Sequence, residues 1–164
     1  MSSREFDLVV IGGGSGGLAA SKRAASHGAQ VALIEASRLG GTCVIRGCIP
    51  KKLMVYAAKL GAERQLAQDY GWTGTLGPID WPKLQTFRDK AVDRLERIHE
   101  ANLSKAGVKL FKGHACFVDP QAVEVGETRL KAKKFIVATG STPSMPPLPG
   151  IEFAKSSNGL WALK

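Results

Sequence analysis

Apolar residues form short unbroken runs and helical stripes along the 164-residue chain. The run FDLVVI (6–11) is typical of a strand covered on both faces of a parallel sheet. It ends in GGGSGG (12–17), and LAASKRAASHGA (18–29) predicts a helix that Gly28 closes. QVALIE (30–35) predicts a second buried strand. A strand, a glycine turn, a helix and a strand within about 30 residues make a βαβ unit.

Two further helices are predicted downstream of this unit. From Thr42 to about Gln68, apolar residues recur at helical spacing. Pro50 is expected near the first turns of that helix or at a kink, because proline has no N–H. Asp80 is predicted to cap a third helix, which runs to about Ser104.

Strands and connections are predicted for the rest of the chain. The strands are expected near 108–117, 122–125 and 128–138. Residues 69–80 and the proline-rich 141–150 are predicted connections, and 151–164 hold little pattern. Cys116 falls in the first of these strands, where it is expected to be an inert buried thiol.

The composition is that of a soluble globular protein, with 44% hydrophobic and 23% charged residues. The length suits one domain. No apolar run approaches the roughly 20 residues of a membrane span, so we expect no membrane partner. FDLVVI runs straight into glycines without a cleavage-like site, so no signal peptide is expected and the cytoplasm is the default location.

The net charge of +9 leaves several explanations open. The basic residues can form a solvated face, or they can serve anionic small ligands such as phosphates and carboxylates. Nucleic-acid binding is not expected, because the sequence has no aromatic-basic RNP pattern and no zinc-finger spacing.

The glycine turn fits the pattern G-x-G-x-x-G. Gly12 allows the tight turn, Gly14 lets the backbone approach a pyrophosphate, and Gly17 lets the helix pack on the strand. The helix N-terminus offers free N–H groups and positive potential to phosphates. Glu35 ends the next strand at the spacing of a carboxylate that accepts from an adenosine ribose hydroxyl, so a dinucleotide site is predicted. The alternative for Glu35 alone is a solvated acid at a strand end.

Residues 40–52 read GGTCVIRGCIPKK, in which Cys43 and Cys48 can be metal ligands, a structural bridge, a redox pair or a coincidence. A closed zinc site needs four N or S ligands at fixed spacing. Only one further cysteine and three scattered histidines remain, in no matching pair, so no metal site is expected; these are Cys116, His27, His99 and His114. A structural bridge over so short a gap would remove little chain entropy.

A redox pair fits this stretch better. A helix N-terminus and the nearby cations Arg46, Lys51 and Lys52 should favour the thiolate form of a cysteine. Coincidence stays open, although it does not explain a dinucleotide site immediately upstream.

GGTCVIRGCIPKK resembles the active-site disulfide signature of the flavin-dependent pyridine nucleotide–disulfide oxidoreductases. The variant VIRGC-x-PKK is most similar to the bacterial and plant glutathione reductases of that family. The resemblance extends over the whole chain, through the KGHACF strand (112–117) to Ala138-Thr139-Gly140, which is similar to the family's second FAD-contacting motif. It implies an α/β fold: a Rossmann-like FAD-binding domain with a parallel sheet and a small β-meander, of the type with two dinucleotide-binding domains.

The resemblance implies a role for each matching residue. Cys48 would lie against the flavin, Cys43 would attack the substrate disulfide, and Lys51 would sit near the flavin N5. Glutathione disulfide would be the substrate, contacted by Ser15, Lys22 and His99; the alternative for Lys22 and His99 is an exposed polar helix residue. The implied FAD contacts are Gly12, Gly14, Ser15, Gly16 and Gly17 at the pyrophosphate, Glu35 at the ribose, Thr42 at the phosphates, the Ala115 backbone at the adenine, and Thr139 and Gly140 beside the cofactor.

The family also uses an NADPH domain with a second glycine motif and a C-terminal dimerisation domain with an acid–base histidine. Neither is in this sequence, so residues 1–164 are expected to be the N-terminal segment of the FAD domain. The full-length parent is expected to be a homodimeric NADPH-dependent enzyme, and the 164 residues alone are expected to be inactive. The alternatives are a related flavin disulfide reductase with another disulfide substrate, or a free-standing flavin-binding module.

Overall fold

The structure is a computed structural model that describes residues 2–74 and 77–163. Its strands are β1 (Ser2–Ile11), β2 (Val31–Glu35), β3 (Lys109–Lys112), β4 (Ala115–Asp119), β5 (Ala122–Val125) and β6 (Thr128–Val137). Its α-helices are α1 (Ser15–Ser26), α2 (Cys48–Ala62), α3 (Arg64–Asp69), α4 (Trp81–Lys105) and α5 (Ser157–Leu160). A π-helical turn spans Thr42–Arg46, and a 3₁₀ turn spans Ile151–Phe153.

The six strands form one sheet in the order β3-β2-β1-β6-β5-β4. The pairs β3–β2, β2–β1 and β1–β6 are parallel, and the pairs β6–β5 and β5–β4 are antiparallel. β6 belongs to both halves, because it pairs with β1 from Thr128 to Val137 and with β5 from Thr128 to Lys131. The fold is therefore the expected mixed α/β arrangement of a parallel sheet with a meander.

The core lies on both faces of β1 and β2. Val9 and Val10 point to opposite faces, and both are 0% exposed. On one face, Val10 packs with Leu18 of α1 and Leu103 of α4. On the other face, Val9 packs with residues of β5 and β6, so the meander covers the side that the helices leave open; these residues are Val123, Val125, Leu130 and Ala132. The prediction of a strand buried on both faces is confirmed.

The single helix predicted from Thr42 to about Gln68 is wrong. The chain leaves the helical conformation at Gly47 (φ −141°, ψ −105°), between the π-helical turn and α2. A Cβ at Gly47 would lie 2.9 Å from the carbonyl oxygen of Thr42, so the break requires a residue without a side chain. Pro50 lies in the first turn of α2, as predicted, where its missing N–H costs no intrahelical bond.

The start of α4 agrees with the prediction that Asp80 caps this helix. The Asp80 side chain accepts a hydrogen bond of 3.0 Å from the N–H of Lys83.

The predicted strand at 108–117 is divided by Gly113 (φ +142°) into β3 and β4. Cys116 is exposed rather than buried, because β4 is the last strand at one edge of the sheet. Within the predicted loop at 69–80, Thr75 and Leu76 lie outside the described residues.

Across the described ranges, none of the helices has both the length and the hydropathy of a membrane span.

We expect Leu33→Ala to lower the free energy of unfolding by about 2–5 kcal/mol, because it empties a fully buried position in β2. Urea unfolding monitored by circular dichroism measures the change. The control is Leu60→Ala in α2, where the side chain is 66% exposed and the expected change is within about 0.5 kcal/mol. Equal losses in the two variants would contradict this assignment of the core.

Candidate functional site

The glycine turn after β1 is built from backbone contacts that exclude side chains. Gly12 has φ +107°, and a Cβ there would lie 2.3 Å from the carbonyl oxygen of Ala138. A Cβ on Gly17 would lie 1.7 Å from the carbonyl oxygen of Gly12. Gly12 therefore packs against the segment after β6, and α1 packs against the turn itself. The positive φ of Gly12 and the contact of Gly17 agree with the tight turn and the helix packing that the glycine pattern predicts, whereas the contact of Gly12 with Ala138 is not part of that prediction.

The N-terminus of α1 opens at the edge of the sheet. Gly14 is the N-cap, and the first N–H with an intrahelical acceptor is that of Leu18, which donates to Gly14 at 2.9 Å. The first-turn N–H groups of Ser15, Gly16 and Gly17 have no such acceptor and lie at the positive end of the helix dipole. Ser15 and Gly16 are exposed, so their N–H groups can reach a phosphate.

Glu35 is fixed against the glycine turn. One carboxylate oxygen accepts 2.6 Å from the N–H of Gly13, and the other accepts 2.7 Å from the N–H of Ser37. The alternative of a freely solvated strand-end acid is therefore wrong. The carboxylate is therefore held in one orientation beside the N-terminus of α1.

Two further segments reach the same edge. The N–H of Gly113 donates to the carbonyl oxygen of Glu35 at 2.9 Å, which brings Ala115 close to the end of β2. The N–H of Ala138 donates to the carbonyl oxygen of Ile11 at 2.8 Å, which places Thr139 and Gly140 beside the turn. The carboxyl ends of β1, β2 and β6 thus converge where helical crossovers give way to the meander, a usual ligand position in open α/β sheets.

The segment that carries Cys43 is packed on the glycine turn. The N–H of Gly40 donates to the carbonyl oxygen of Gly13 at 2.8 Å. A Cβ on Gly41 would lie 2.7 Å from the Cα of Gly14, so the two backbones touch. Thr42 follows directly, and it begins the π-helical turn that holds Cys43. The patterns in the sequence do not predict this glycine-to-glycine contact. Its signal in the sequence is the pair Gly40-Gly41 before the cysteines.

The two cysteines are thiols in contact with each other. Cys43 lies half-buried in the π-helical turn, and Cys48 is the exposed first residue of α2. The pKa of Cys43 is raised above its ordinary value, first by a hydrogen bond with the side chain of Cys48, then by burial and by the like charge of Cys48. Lys51 lowers it, but this is the smallest of the effects. The expectation that the surroundings favour the thiolate is therefore wrong for Cys43, because the partner thiol outweighs the lysine.

A salt-bridge cluster anchors the loop before Cys43 to α4. Arg38 donates to Glu96 and to Asp93, each at 2.7 Å, and the pKa of the Arg38 guanidinium is raised by these partners, Glu96 first. The N–H of Leu39 also donates to Glu96, at 3.3 Å. We did not predict these residues as part of the site, because a polar helix face does not indicate which distant loop it binds.

Lys22 and His99 come together where α1 meets α4. The pKa of His99 is lowered, first by burial and then by the positive charge of Lys22. Its Nδ1 is buried and has no hydrogen-bond partner among the residues the structure describes. Ser15 lies seven residues before Lys22 on the same helix, and so about 10 Å away along its axis. Of the three residues that the resemblance assigns to the substrate, Lys22 and His99 therefore lie together and Ser15 lies apart from them.

Over the described part of the chain, no group of three or more His, Cys, Asp or Glu side chains is arranged to hold a metal ion.

The sequence model of the pyridine nucleotide-disulphide oxidoreductases matches residues 6–160. The chain belongs to this family. It is 51% identical over 160 residues to a glutathione reductase of Nostoc sp., covering 98% of this chain and 35% of that protein. It is 46% identical to a glutathione reductase of Schizosaccharomyces pombe, covering 99% of this chain and 37% of that protein. For a glutathione reductase of Burkholderia cepacia the identity is 40%, with 99% and 36% covered.

The chain spans about a third of the length of these curated relatives. Membership in the pyridine nucleotide-disulphide oxidoreductase family implies FAD and NADPH as cofactors. The residues present fit a dinucleotide, because open helix N–H groups, glycines without room for a Cβ and an oriented carboxylate share one edge of the sheet.

We expect Lys22→Met to raise the pKa of His99 towards its ordinary value, because the repelling charge is removed. The pKa should stay below that value, since burial is the larger cause and remains. A proton NMR titration of the imidazole measures it, and Lys59→Met in α2 is the control that should leave it unchanged. In the unsubstituted chain, the unfolded state binds the His99 proton first as the pH falls below about 6.5, so this residue lowers stability towards acid pH. An unchanged pKa in Lys22→Met would contradict the pairing.

Proposed function

We propose that the chain is the FAD-binding, disulfide-bearing portion of an NADPH-dependent glutathione-disulfide reductase. The observation that carries the proposal is the packing of the Gly40-Gly41 segment on the glycine turn, which joins a dinucleotide site and a dithiol in one unit. The printed name of the relatives supports glutathione disulfide as the substrate. On this proposal residues 1–164 belong to the FAD domain, the NADPH and dimerisation domains lie outside this chain, and the parent is a cytoplasmic homodimer.

FAD would be held at the edge of the sheet where the strands converge. The first-turn N–H groups of α1 would bind its pyrophosphate, and Glu35 would accept from its ribose. The Ala115 backbone would meet the adenine, while Thr42, Thr139 and Gly140 would flank the cofactor. When bound, FAD supplies two electrons from NADPH to the cysteine pair. Lys51, exposed in the first turn of α2, would place a positive charge beside the ring.

The cysteines then carry out thiol–disulfide exchange. The thiolate of Cys43 attacks one sulfur of glutathione disulfide and forms a mixed disulfide, and the first glutathione leaves as a thiolate that takes up a proton. Cys48 attacks the Cys43 sulfur, which releases the second glutathione and closes the Cys43–Cys48 disulfide. Two thiols have been oxidised and one substrate disulfide has been reduced to two thiols.

This sequence needs a base for Cys43. The hydrogen bond with Cys48, and then burial, raise the pKa of Cys43, which lowers the fraction of this cysteine that is thiolate at neutral pH. A proton acceptor must therefore act before the attack, and the released glutathione thiolate must be protonated afterwards. Family resemblance assigns both tasks to a histidine of the dimer partner, outside this chain. Lys22 and His99 would line the substrate path, with Lys22 available to a glutathione carboxylate.

We expect the chain to bind FAD, weakly because the family completes this site with residues outside these 164. Gly17→Ala should weaken binding by about tenfold or more, equivalent to about 1.4 kcal/mol, because its Cβ would overlap the glycine turn. The control is Gly61→Ala in α2, where a Cβ meets nothing within 4 Å and stability should rise by up to about 1 kcal/mol. Flavin fluorescence measures the affinity. Identification of a nicotinamide dinucleotide and never FAD as the bound ligand would rule out the proposed site.

In a full-length parent, Cys43→Ser should abolish NADPH-dependent reduction of glutathione disulfide and leave the flavin bound. Cys116→Ser is the control, because this exposed thiol on β4 has no part in the exchange and its loss should not change the rate. The isolated 164 residues should show no turnover, since they supply neither the NADPH domain nor the acid, a group typically worth about 10²–10⁴-fold. Turnover by the isolated chain, or by Cys43→Ser, would refute the assignment.

A further inference from the structure

The segment from Ser157 to Leu163, here called the 157–163 segment, packs against both the π-helical turn and α4. Asn158, Trp161 and Ala162 line one side of a cavity of about 250 Å³. The other side is lined by the end of the π-helical turn, the loop before it and α4, through Ile45, Arg46, Arg38, Arg88, Asp89 and Val92. The segment thus reaches the short stretch of chain that separates Cys43 from Cys48.

Trp161 makes the direct contact. Its indole N–H donates 2.6 Å to the carbonyl oxygen of Arg46. Arg46 is the last residue of the π-helical turn. Carbonyl groups at the end of a helical turn have no N–H donor within that turn. The indole supplies the partner at this end, two residues before Cys48.

The indole is itself held by α4. The Arg88 guanidinium lies 6.0 Å from the centre of the Trp161 ring and is buried, with its side chain only 7% exposed. Its charge is balanced by Asp89 at 2.8 Å. The side-chain amide of Gln85 donates to the carbonyl oxygen of Leu163, which fixes the end of the segment to the same helix.

The π-helical turn that holds Cys43 is therefore tied to α4 on both of its sides. Arg38 anchors the loop before Cys43 to Glu96, and Trp161 anchors the carbonyl before Gly47 to the region of Arg88. We propose that Trp161 is a positioning residue of the redox pair: its N–H holds the end of the π-helical turn so that the sulfurs of Cys43 and Cys48 stay within reach of each other. This inference rests on the proposed redox role of the pair.

The quantity to measure is the equilibrium constant for closing the pair with glutathione. Two thiols lose two electrons and two protons to form the Cys43–Cys48 disulfide, and one glutathione disulfide takes them up to become two glutathione thiols. The constant reports the effective concentration of one cysteine beside the other. Quenching by alkylation and peptide mass spectrometry gives the fraction of disulfide in a series of glutathione buffers. All variants carry Cys116→Ser, so that only the pair can react.

Trp161→Phe keeps an apolar ring under Arg88 and removes the donor. We expect the equilibrium constant for disulfide formation to fall by about threefold to tenfold, the usual effect of one lost hydrogen bond. Trp72→Phe is the matched control, because Trp72 is 76% exposed in the loop after α3, and its constant should be unchanged. Circular dichroism and thermal unfolding verify that each variant is folded.

Trp161→His separates positioning from packing. Histidine keeps a ring N–H but fills less space than phenylalanine, and at about pH 8 it is neutral. If the N–H positions the turn, the equilibrium constant of Trp161→His lies closer to that of the unsubstituted chain than the constant of Trp161→Phe does. If ring volume alone matters, the order is reversed, and the inference is overturned. It is also overturned if Trp161→Phe leaves the constant unchanged, whereas failure of the unsubstituted chain to form the disulfide at all would remove the proposed redox function itself.

Discussion

The candidate site depends on one backbone contact, the meeting of the glycine turn after β1 with Gly40 and Gly41. The N–H of Gly40 donates to the carbonyl oxygen of Gly13, and Gly41 approaches Gly14 so closely that a side chain on Gly41 has no room. A nucleotide site alone would need only the first glycine segment. The second glycine segment places the start of the π-helical turn beside the N-terminus of α1, so a ligand bound at that N-terminus would lie one short segment away from Cys43.

Backbone contact at one end does not fix a turn that contains a π-helical stretch and a non-helical glycine. The long helix α4 supplies what the glycines cannot, because its side chains reach both the loop before Cys43 and, through Trp161, the carbonyl before Gly47. Hydrogen bonds to charged groups are worth about 1.5–3 kcal/mol, more than neutral ones. Arg38 is partly exposed, so solvent screening reduces that value, but two carboxylates share the same guanidinium.

Local patterns predicted the parts of the fold that local physics determines. The βαβ unit, the Asp80 cap and β5 at 122–125 followed from periodicity and capping, because each depends on residues close in the chain. The break at Gly47 was missed, since a lone glycine in a helical pattern usually costs stability without ending the helix. The Arg38 cluster and the Trp161 bond join residues more than 50 positions apart, and nothing in the pattern of either segment indicates its partner. The glycine turn and Glu35 were predictable as a pair because the βαβ unit brings them together.

The two thiols occupy different environments although only four residues separate them. Cys48 is the exposed first residue of α2, whereas Cys43 lies half-buried in the π-helical turn. The hydrogen bond between them, followed by burial, raises the pKa of Cys43. A raised pKa lowers the fraction of Cys43 that is thiolate, the form in which a cysteine attacks a disulfide. In the proposed reductase, a base beside Cys43 would offset this raised pKa, so the surroundings of Cys43 support the need for such a base separately from the family resemblance.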